Sequence, residues 1–276
     1  MCSSDLEGGI ARSHGTCMTM GTAATMMGIA EALGMSLPGA SSIPAPDASH
    51  PRMAAACGRR VVDMVWEDLK PSDILSRKNF ENALTVAMAE GCSTNAIIHL
   101  IALSRRAGAP CAISIDDFDA YSRKVPVLAN IRPSGDQYLM EDFYYAGGMK
   151  ALLARLREGQ LLHLDTMSVT GQTLGDNIKD AEIYNDDVIR PIERPIYNEG
   201  ALAVLRGNLA PDGCVIKPSA CSAKFQQHTG PAMVFDNYPA LKAAIDDPNL
   251  DVTEDHVLIL DRKSTRLNSS HLVISY

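Results

Sequence analysis

The most constraining stretch of the chain runs from Ser13 to Gly39: Ser-His-Gly-Thr-Cys-Met-Thr-Met-Gly-Thr-Ala-Ala-Thr-Met-Met-Gly-Ile-Ala-Glu-Ala-Leu-Gly-Met-Ser-Leu-Pro-Gly. It opens with a turn, because Gly15 frees the backbone just before Cys17. A helix pattern rich in Ala, Met and Leu follows and stops in order, with Gly34 as its C-terminal cap and Pro38 shortly beyond. Cys17 is therefore expected in the loop that feeds a helix N-terminus. Free N–H groups and the positive dipole end favour a thiolate there, the form that binds a metal or attacks an electrophile. A lone cysteine before a helix is also often a small buried hydrophobe. Position alone leaves both readings open.

The rest of the composition narrows the class. With 276 residues the chain has room for one large domain or two ordinary ones. Hydrophobic residues make up 46% and charged residues 21%, which supplies a globular core. The net charge of -8 leaves no basic face for nucleic acid. The longest apolar runs, such as Ala96 to Leu103, are interrupted by His99 and too short to span a bilayer. The first ten residues have neither the basic nor the apolar segment of a secretory signal. Seven cysteines stand without regular spacing and without a Cys-x-x-Cys, which argues against a disulfide scaffold or zinc ribbon and fits a reducing cytoplasm. There is no Walker loop, no strand-linked Gly-x-Gly-x-x-Gly, no Gly-x-Ser-x-Gly and no repeat of 20–50 residues.

Periodicity predicts a helix from His50 to Leu69, with Met53, Ala56, Val61, Met64 and Val65 as its buried stripe and Cys57 as a packed thiol. Arg59, Arg60, Glu67 and Asp68 fall mainly on the outer side. Lys70-Pro71 ends it. A second helical region, Ser72 to Glu90, buries Phe80, Leu84, Ala87 and Met88 and stops at Gly91. Cys92-Ser93-Thr94-Asn95 then opens a helix from Ala96 to Ala107 in which His99 reads as a packed histidine. Ser93, Thr94 and Asn95 are caps by residue type, and equally candidates to present donors to a substrate carboxylate or phosphate. Asp116 to Lys124 reads as a short helix, Val125 to Ile131 as a buried strand, and Met149 to Glu158 as a helix. The paired carboxylates Glu141 and Asp142 could bind metal or act as acid and base, but at a helix start they more simply favour the dipole.

Composition shifts near Gly159. Short β-like runs follow at Met167 to Thr170, Ala201 to Leu205, Cys214 to Ile216, Met233 to Phe235 and Val257 to Leu260, with short helices at Thr173 to Asp180 and Tyr238 to Asp246. This predicts an α+β or β-barrel-like second domain with a boundary around 155–166. Cys214 and Cys221 have no matching pair, so no metal site is expected there, and Lys217 reads as structural or rim. The ends look foreign: 261–276 has no period of its own and resembles translated adapter DNA, and 1–6 has the same flavour.

His-Gly-Thr-Cys-Met-Thr-Met-Gly-Thr-Ala and Glu-Ala-Leu-Gly-Met-Ser-Leu-Pro-Gly together resemble the dihydroxy-acid dehydratase / 6-phosphogluconate dehydratase family. So do Glu-Gly-Cys-Ser-Thr-Asn-Ala, with Cys92 where the family usually has Gly, Glu-Asp-Phe-Tyr-Tyr-Ala-Gly-Gly, and Gly-Asn-Leu-Ala-Pro-Asp-Gly-Cys-Val-Ile-Lys-Pro-Ser-Ala. The likeness covers Glu7 to Leu260. It implies an α/β fold: the end of an α/β/α N-terminal iron–sulfur domain (7–160), then the start of a β-barrel-like, swivelling β/β/α C-terminal domain (161–260). It implies a hydro-lyase that turns a 2,3-dihydroxy acid into a 2-keto-3-deoxy acid, using a 2Fe–2S cluster and Mg2+, cytoplasmic and homo-oligomeric. Cys17 matches one of three cluster cysteines. The other two and the family's Asp-Lys metal motif would lie before residue 7. The serine base and a further carboxylate would lie beyond residue 260. The Met-Thr-Met-Gly-Thr-Ala and Glu-Asp-Phe-Tyr-Tyr-Ala-Gly-Gly runs lean towards an aldonate substrate, ahead of the dihydroxy acid of valine and isoleucine synthesis, with 6-phosphogluconate third. A non-catalytic binding or scaffold domain with Cys17 merely buried is the alternative from another class.

Overall fold

A computed structural model describes residues 15–260. The two ends expected to be foreign lie outside the described residues. The chain divides into two compact units, one up to Ala220 and one from Cys221.

The first unit contains, in order, α1 (Thr22–Ala32), α2 (Ser49–Trp66), α3 (Pro71–Ile74), α4 (Arg77–Glu90), α5 (Asn95–Ala107), α6 (Ile115–Lys124), α7 (Met140–Tyr145), α8 (Gly148–Glu158), α9 (Leu174–Asn177) and the antiparallel pair β1 (Ala203–Leu205) and β2 (Cys214–Ile216). Its centre is α4, which is buried from Ala83 to Glu90 without a break, so that it meets neighbours on every side. Ser76 caps its start by accepting from Asn79 N, and Gly91 ends it in the left-handed conformation. Two polar groups that α4 carries inward are satisfied by loops: Asn79 Nδ2 donates to Leu33 O and Met167 O at 3.1 Å each, and Asn82 Nδ2 to His163 O at 2.9 Å. Helix α1 packs against α4 through Thr25, Gly28, Ile29 and Ala32, a single helical stripe. α6 and α8 pack against α4 as well, and Phe80, Leu84, Phe118, Met149 and Leu152 form the core between them.

The second unit holds β3 (Ala232–Phe235), α10 (Tyr238–Ile245) and β4 (Val257–Leu260). β3 and β4 are parallel, Ala232 opposite Val257, so α10 lies within the crossover that parallel pairing requires.

Several sequence expectations are corrected. The region Ser72 to Glu90 is two helices, because Leu75 leaves the helical region and Ser76 caps α4 afresh. No residue of α2 is buried. Met53, Ala56 and Met64 are half-buried, whereas Val61, Val65 and Trp66 are exposed, and so is Cys57. Arg60 is not on the outer side: its Nε donates to Val169 O at 2.5 Å while its guanidinium pairs with Glu67, and this tether rather than apolar burial orients the helix. The apolar stripe borders a groove of about 620 Å³ that Leu37, Met64 and Leu69 also line. His99 is exposed, since α5 buries Ala96, Ile97 and Leu100 on the other side. Val125 to Ile131 is buried as expected, but it makes only isolated bridges, to Tyr197, Ile189 and Tyr138, because its neighbours are irregular segments. The architecture is mixed helix and strand. Two two-stranded sheets are the only ones among the described residues, and no closed barrel forms from them. No described helix is long and apolar enough to cross a membrane.

Candidate functional site

Cys17 sits in an irregular loop whose backbone is held from two sides. Met20 N donates to Arg132 O at 2.8 Å, and Met140 N donates to Met18 O at 2.7 Å. At the loop's start Gly15 has φ 106° and approaches Ala45 so closely that a Cβ there would lie 2.7 Å from the alanine methyl. Met20, fully buried, anchors the loop to the core. The Cys17 thiol itself is exposed. Its Sγ lies 3.4 Å from Thr19 Oγ1 and alongside Gly21, the residue that opens α1. The sequence-predicted placement, a thiol beside a helix start, is what the structure shows, and the buried-hydrophobe reading is not.

The thiol opens onto a cleft of about 310 Å³. Cys17, Met27, Ser41, Ser42, His50 and Glu141 line it, and Pro44 to Pro46 complete the wall. The cleft thus brings a soft sulfur donor, two hydroxyls, an imidazole and a carboxylate to one space. The paired carboxylates at 141 and 142 separate in role. Asp142 Oδ2 accepts from Leu139 N at 2.8 Å and caps α7, while Glu141 faces the cleft. Glu141 stands out in the sequence only as one of a carboxylate pair, and His50 and the two serines carry no distinguishing pattern, because each takes its place only when three separate segments meet.

The wall bearing Ser41 and Ser42 is a short 3-10 turn, Ala40–Ser42, reached through a reversal at Gly34 and Gly39. It folds back against the end of α1, where Glu31 is buried. The Glu31 carboxylate accepts from Gly39 N at 2.6 Å, from Ser41 N at 3.1 Å and from Ser41 Oγ at 2.6 Å. Burial pushes its pKa above the usual carboxylate value, and these bonds together with nearby Lys150 pull it back. All three partners are donors, so the geometry is that of the ionised acid.

The Ser93-Thr94-Asn95 segment does not line this cleft. Asn95 Nδ2 donates to Thr22 Oγ1 at 2.8 Å, Ser93 Oγ pairs with Thr22 Oγ1 at 2.9 Å, and Ser93 N donates to Thr25 Oγ1 at 3.1 Å. These bonds lock the start of α5 to the first turns of α1, directly after the Cys17 loop. Thr94 precedes α5 without a side-chain cap bond. Just before this segment Glu90 is wholly buried, and among the described residues neither carboxyl oxygen has a hydrogen-bond partner. Burial drives its pKa well above the usual range, opposed only by the charge of Lys217. The Lys217 ammonium donates to Gly91 O at 2.8 Å and Cys92 O at 3.1 Å, capping the C-terminal end of α4 from a distant segment. Its structural role agrees with the sequence reading. Burial pushes the Cys92 thiol up, with Glu90 adding to the effect.

As a metal site the cleft is incomplete. Cys17 suits one ligand position, being an exposed thiol on the lining of the cleft. Among the described residues, however, no group of three His, Cys, Asp or Glu side chains could hold a metal ion. Cys92 and Cys111 are buried elsewhere, and Cys57 lines the separate groove beside α2. The described residues therefore do not hold a cluster or a magnesium ion by themselves.

The chain matches the dihydroxy-acid/6-phosphogluconate dehydratase N-terminal family over residues 3–177 and the corresponding C-terminal family over 187–266. It belongs to the dihydroxy-acid/6-phosphogluconate dehydratase family. It is 51% identical to the 6-deoxy-6-sulfo-D-gluconate dehydratase of Pseudomonas putida over 93% of this chain and 44% of the relative. It is 48% identical to the L-arabinonate dehydratase of Rhizobium leguminosarum, again over 93% and 44%. It is 46% identical to a dihydroxy-acid dehydratase of Solidesulfovibrio magneticus, over 87% and 43%. The chain thus spans less than half the length of the curated relatives it matches.

Proposed function

We propose that this chain is part of a hydro-lyase that removes water from a 2,3-dihydroxy acid, an aldonate-type sugar acid, to give a 2-keto-3-deoxy acid. The observation that carries this reading is the exposed Cys17 sulfur on the lining of a cleft of mixed polar and apolar character, within a dehydratase-family chain. The cleft offers a hydroxyl donor for a polyol at Ser42, whose oxygen accepts from Met149 N and leaves its O–H uncommitted among the described residues, and Glu141 and His50 as groups able to hold or move a proton. Cys17 would supply one soft donor to a 2Fe–2S cluster, with the remaining cluster donors and the magnesium ligands outside the described residues. An α/β/α N-terminal and swivelling β/β/α C-terminal arrangement belongs to the same proposal, as do a homo-oligomeric state and a cytoplasmic location. The free thiols among the described residues accord with a reducing compartment.

A second reading is a branched-chain dihydroxy acid substrate, favoured by the apolar side chains of Met27, Ile43 and Met140 on the cleft lining. The test is keto-acid release by the full-length protein, anaerobically reconstituted, from arabinonate, 6-deoxy-6-sulfogluconate, 6-phosphogluconate and 2,3-dihydroxyisovalerate. Turnover of the aldonate-type acids supports the proposal. Preference for dihydroxyisovalerate selects the second reading, and no turnover of any of them refutes both. The 276-residue chain alone is expected to release no keto acid above background, because its described residues hold no three-donor metal site.

A further inference from the structure

We propose that Glu31 is a positioning residue for the cleft: its carboxylate fixes the Gly39–Ser42 turn, and through it sets the distance between the serine-bearing wall and Cys17. This rests on the reading of the cleft as the substrate site. The two sides of the cleft belong to opposite ends of one helix. Cys17 lies alongside Gly21 at the start of α1, and Glu31 is the penultimate residue at its end. Eleven helical residues make a rod of about 16 Å. The chain then reverses and returns, so that Ser41 and Ser42 line the cleft that Cys17 opens into. Whatever holds the returning segment to the end of α1 therefore sets the width of the cleft.

That hold is polar rather than apolar. Ser41 and Ser42 are the buried residues of the turn, and neither contributes a large apolar side chain. Glu31 takes two backbone N–H groups and a hydroxyl of the turn, on both carboxylate oxygens. On the far side Ser42 Oγ accepts from Met149 N at 3.4 Å, a long bond. A carboxylate with three donors gives charge-assisted bonds, roughly twice as strong as neutral ones, and so a stiff attachment. An amide at the same place would turn an N–H against one of these donors, leaving a buried donor facing a donor.

The test pairs Glu31→Gln with Ser41→Ala, which removes one bond and leaves the two backbone bonds intact. In the 276-residue chain, amide hydrogen exchange at Gly39 and Ser41 is expected to rise at least tenfold in Glu31→Gln, with exchange at Ala83–Met88 of α4 unchanged as the control for global folding. In the full-length protein, Glu31→Gln is expected to raise KM at least tenfold for the accepted dihydroxy acid with iron per chain unaltered, and Ser41→Ala to raise it several-fold. Unchanged exchange at Gly39 and Ser41, or an unchanged KM, overturns the proposal. A loss of kcat that tracks a loss of α4 protection also overturns it, since that shows a general structural role. If the wild-type full-length protein turns over no dihydroxy acid, the functional reading fails while the exchange measurement still decides the Glu31 attachment.

Discussion

Replacing Glu90 with Met should stabilise the first unit, and should do so more as pH rises. The carboxyl at the end of α4 is wholly buried, and its two oxygens have no hydrogen-bond partner among the described residues. It packs against the backbone of α1, where a Cβ built at Gly28 would fall 2.4 Å from Oε2. The charged groups around it are few. Among the described residues Lys217 is the one cation that acts on it, and Lys217 is itself bonded to the Gly91 and Cys92 carbonyls. The neighbouring Cys92 thiol is pushed up by burial and stays neutral. Glu90 is therefore a neutral acid in the folded chain. A buried polar group without a partner costs about 1–3 kcal/mol. Met has similar length and flexibility and carries no such group.

The pH dependence follows from the direction of the shift. Folding raises the Glu90 pKa, so its contribution is fully present below the unfolded-state value of about 4.3 and is lost as pH rises towards the folded value. Within that window the wild-type chain loses about 1.4 kcal/mol per pH unit from this group alone, and Glu90→Met does not. Urea unfolding followed by circular dichroism from pH 4.5 to 7.5, with hydrogen exchange of α4 amides as the local check, should show the variant ahead by about 1–3 kcal/mol at the acid end. The gap should widen with pH. A variant less stable by about 3–5 kcal/mol would mean that Glu90 is ionised and that Lys217 depends on it as a partner. A pH slope identical in the two proteins would equally refute the reasoning.

In the reconstituted full-length protein, Cys17→Ser should abolish activity and lower iron per chain, since oxygen is a poor substitute for thiolate at iron; full iron with full activity would leave Cys17 without a ligand role. Gly28→Ala should destabilise: its Cβ would lie 2.4 Å from Glu90 Oε2 and 2.6 Å from Met149 Cε, flexible side-chain ends whose residues are both buried and cannot swing into solvent, so overpacking of up to about 3 kcal/mol exceeds the roughly 1 kcal/mol gained in helix propensity. A thermal melt showing a more stable Gly28→Ala chain would contradict the packing described here. Glu141→Gln should reduce turnover with the melting temperature unchanged, whereas Asp142→Ala should lower the melting temperature by a few degrees and leave turnover near wild type, because only Asp142 caps α7.

Much of this fold is legible in the sequence where local physics decides it. α1, α4 and α8 show their period, and Gly34 and Gly91 stop the first two at the expected places. The strands at 203–205, 214–216, 232–235 and 257–260 coincide with short apolar runs to within two residues. α2 is legible as a helix but not as an exposed one. An apolar stripe at helical spacing looks the same whether a neighbour covers it or a groove lies beside it. The same ambiguity misplaced His99, which sits in an apolar run yet faces outward. The Cys17 loop was legible through its motif, and the assignment of Ser93 and Asn95 to helix locking needed their contacts with Thr22.

The two buried glutamates show why the rest was not. In sequence each is a Glu near the end of a helical stretch, with nothing local to mark it as buried. What separates them is the supply of donors. Glu31 is followed by a reversal that brings back two unpaired N–H groups and a hydroxyl, all within the same constraining stretch, so a signal for it existed: a carboxylate shortly before Gly-x-x-x-Pro-Gly has backbone donors within reach. Glu90 has no such signal, because its surroundings come from Gly28 on one side and Lys217 on the other, and the lysine is spent on carbonyls. One carboxyl is therefore held charged and stiffens the cleft wall, while the other is held neutral and weakens the core it sits in. Glu31→Gln and Glu90→Met should move stability in opposite directions, and only Glu31→Gln should move substrate affinity.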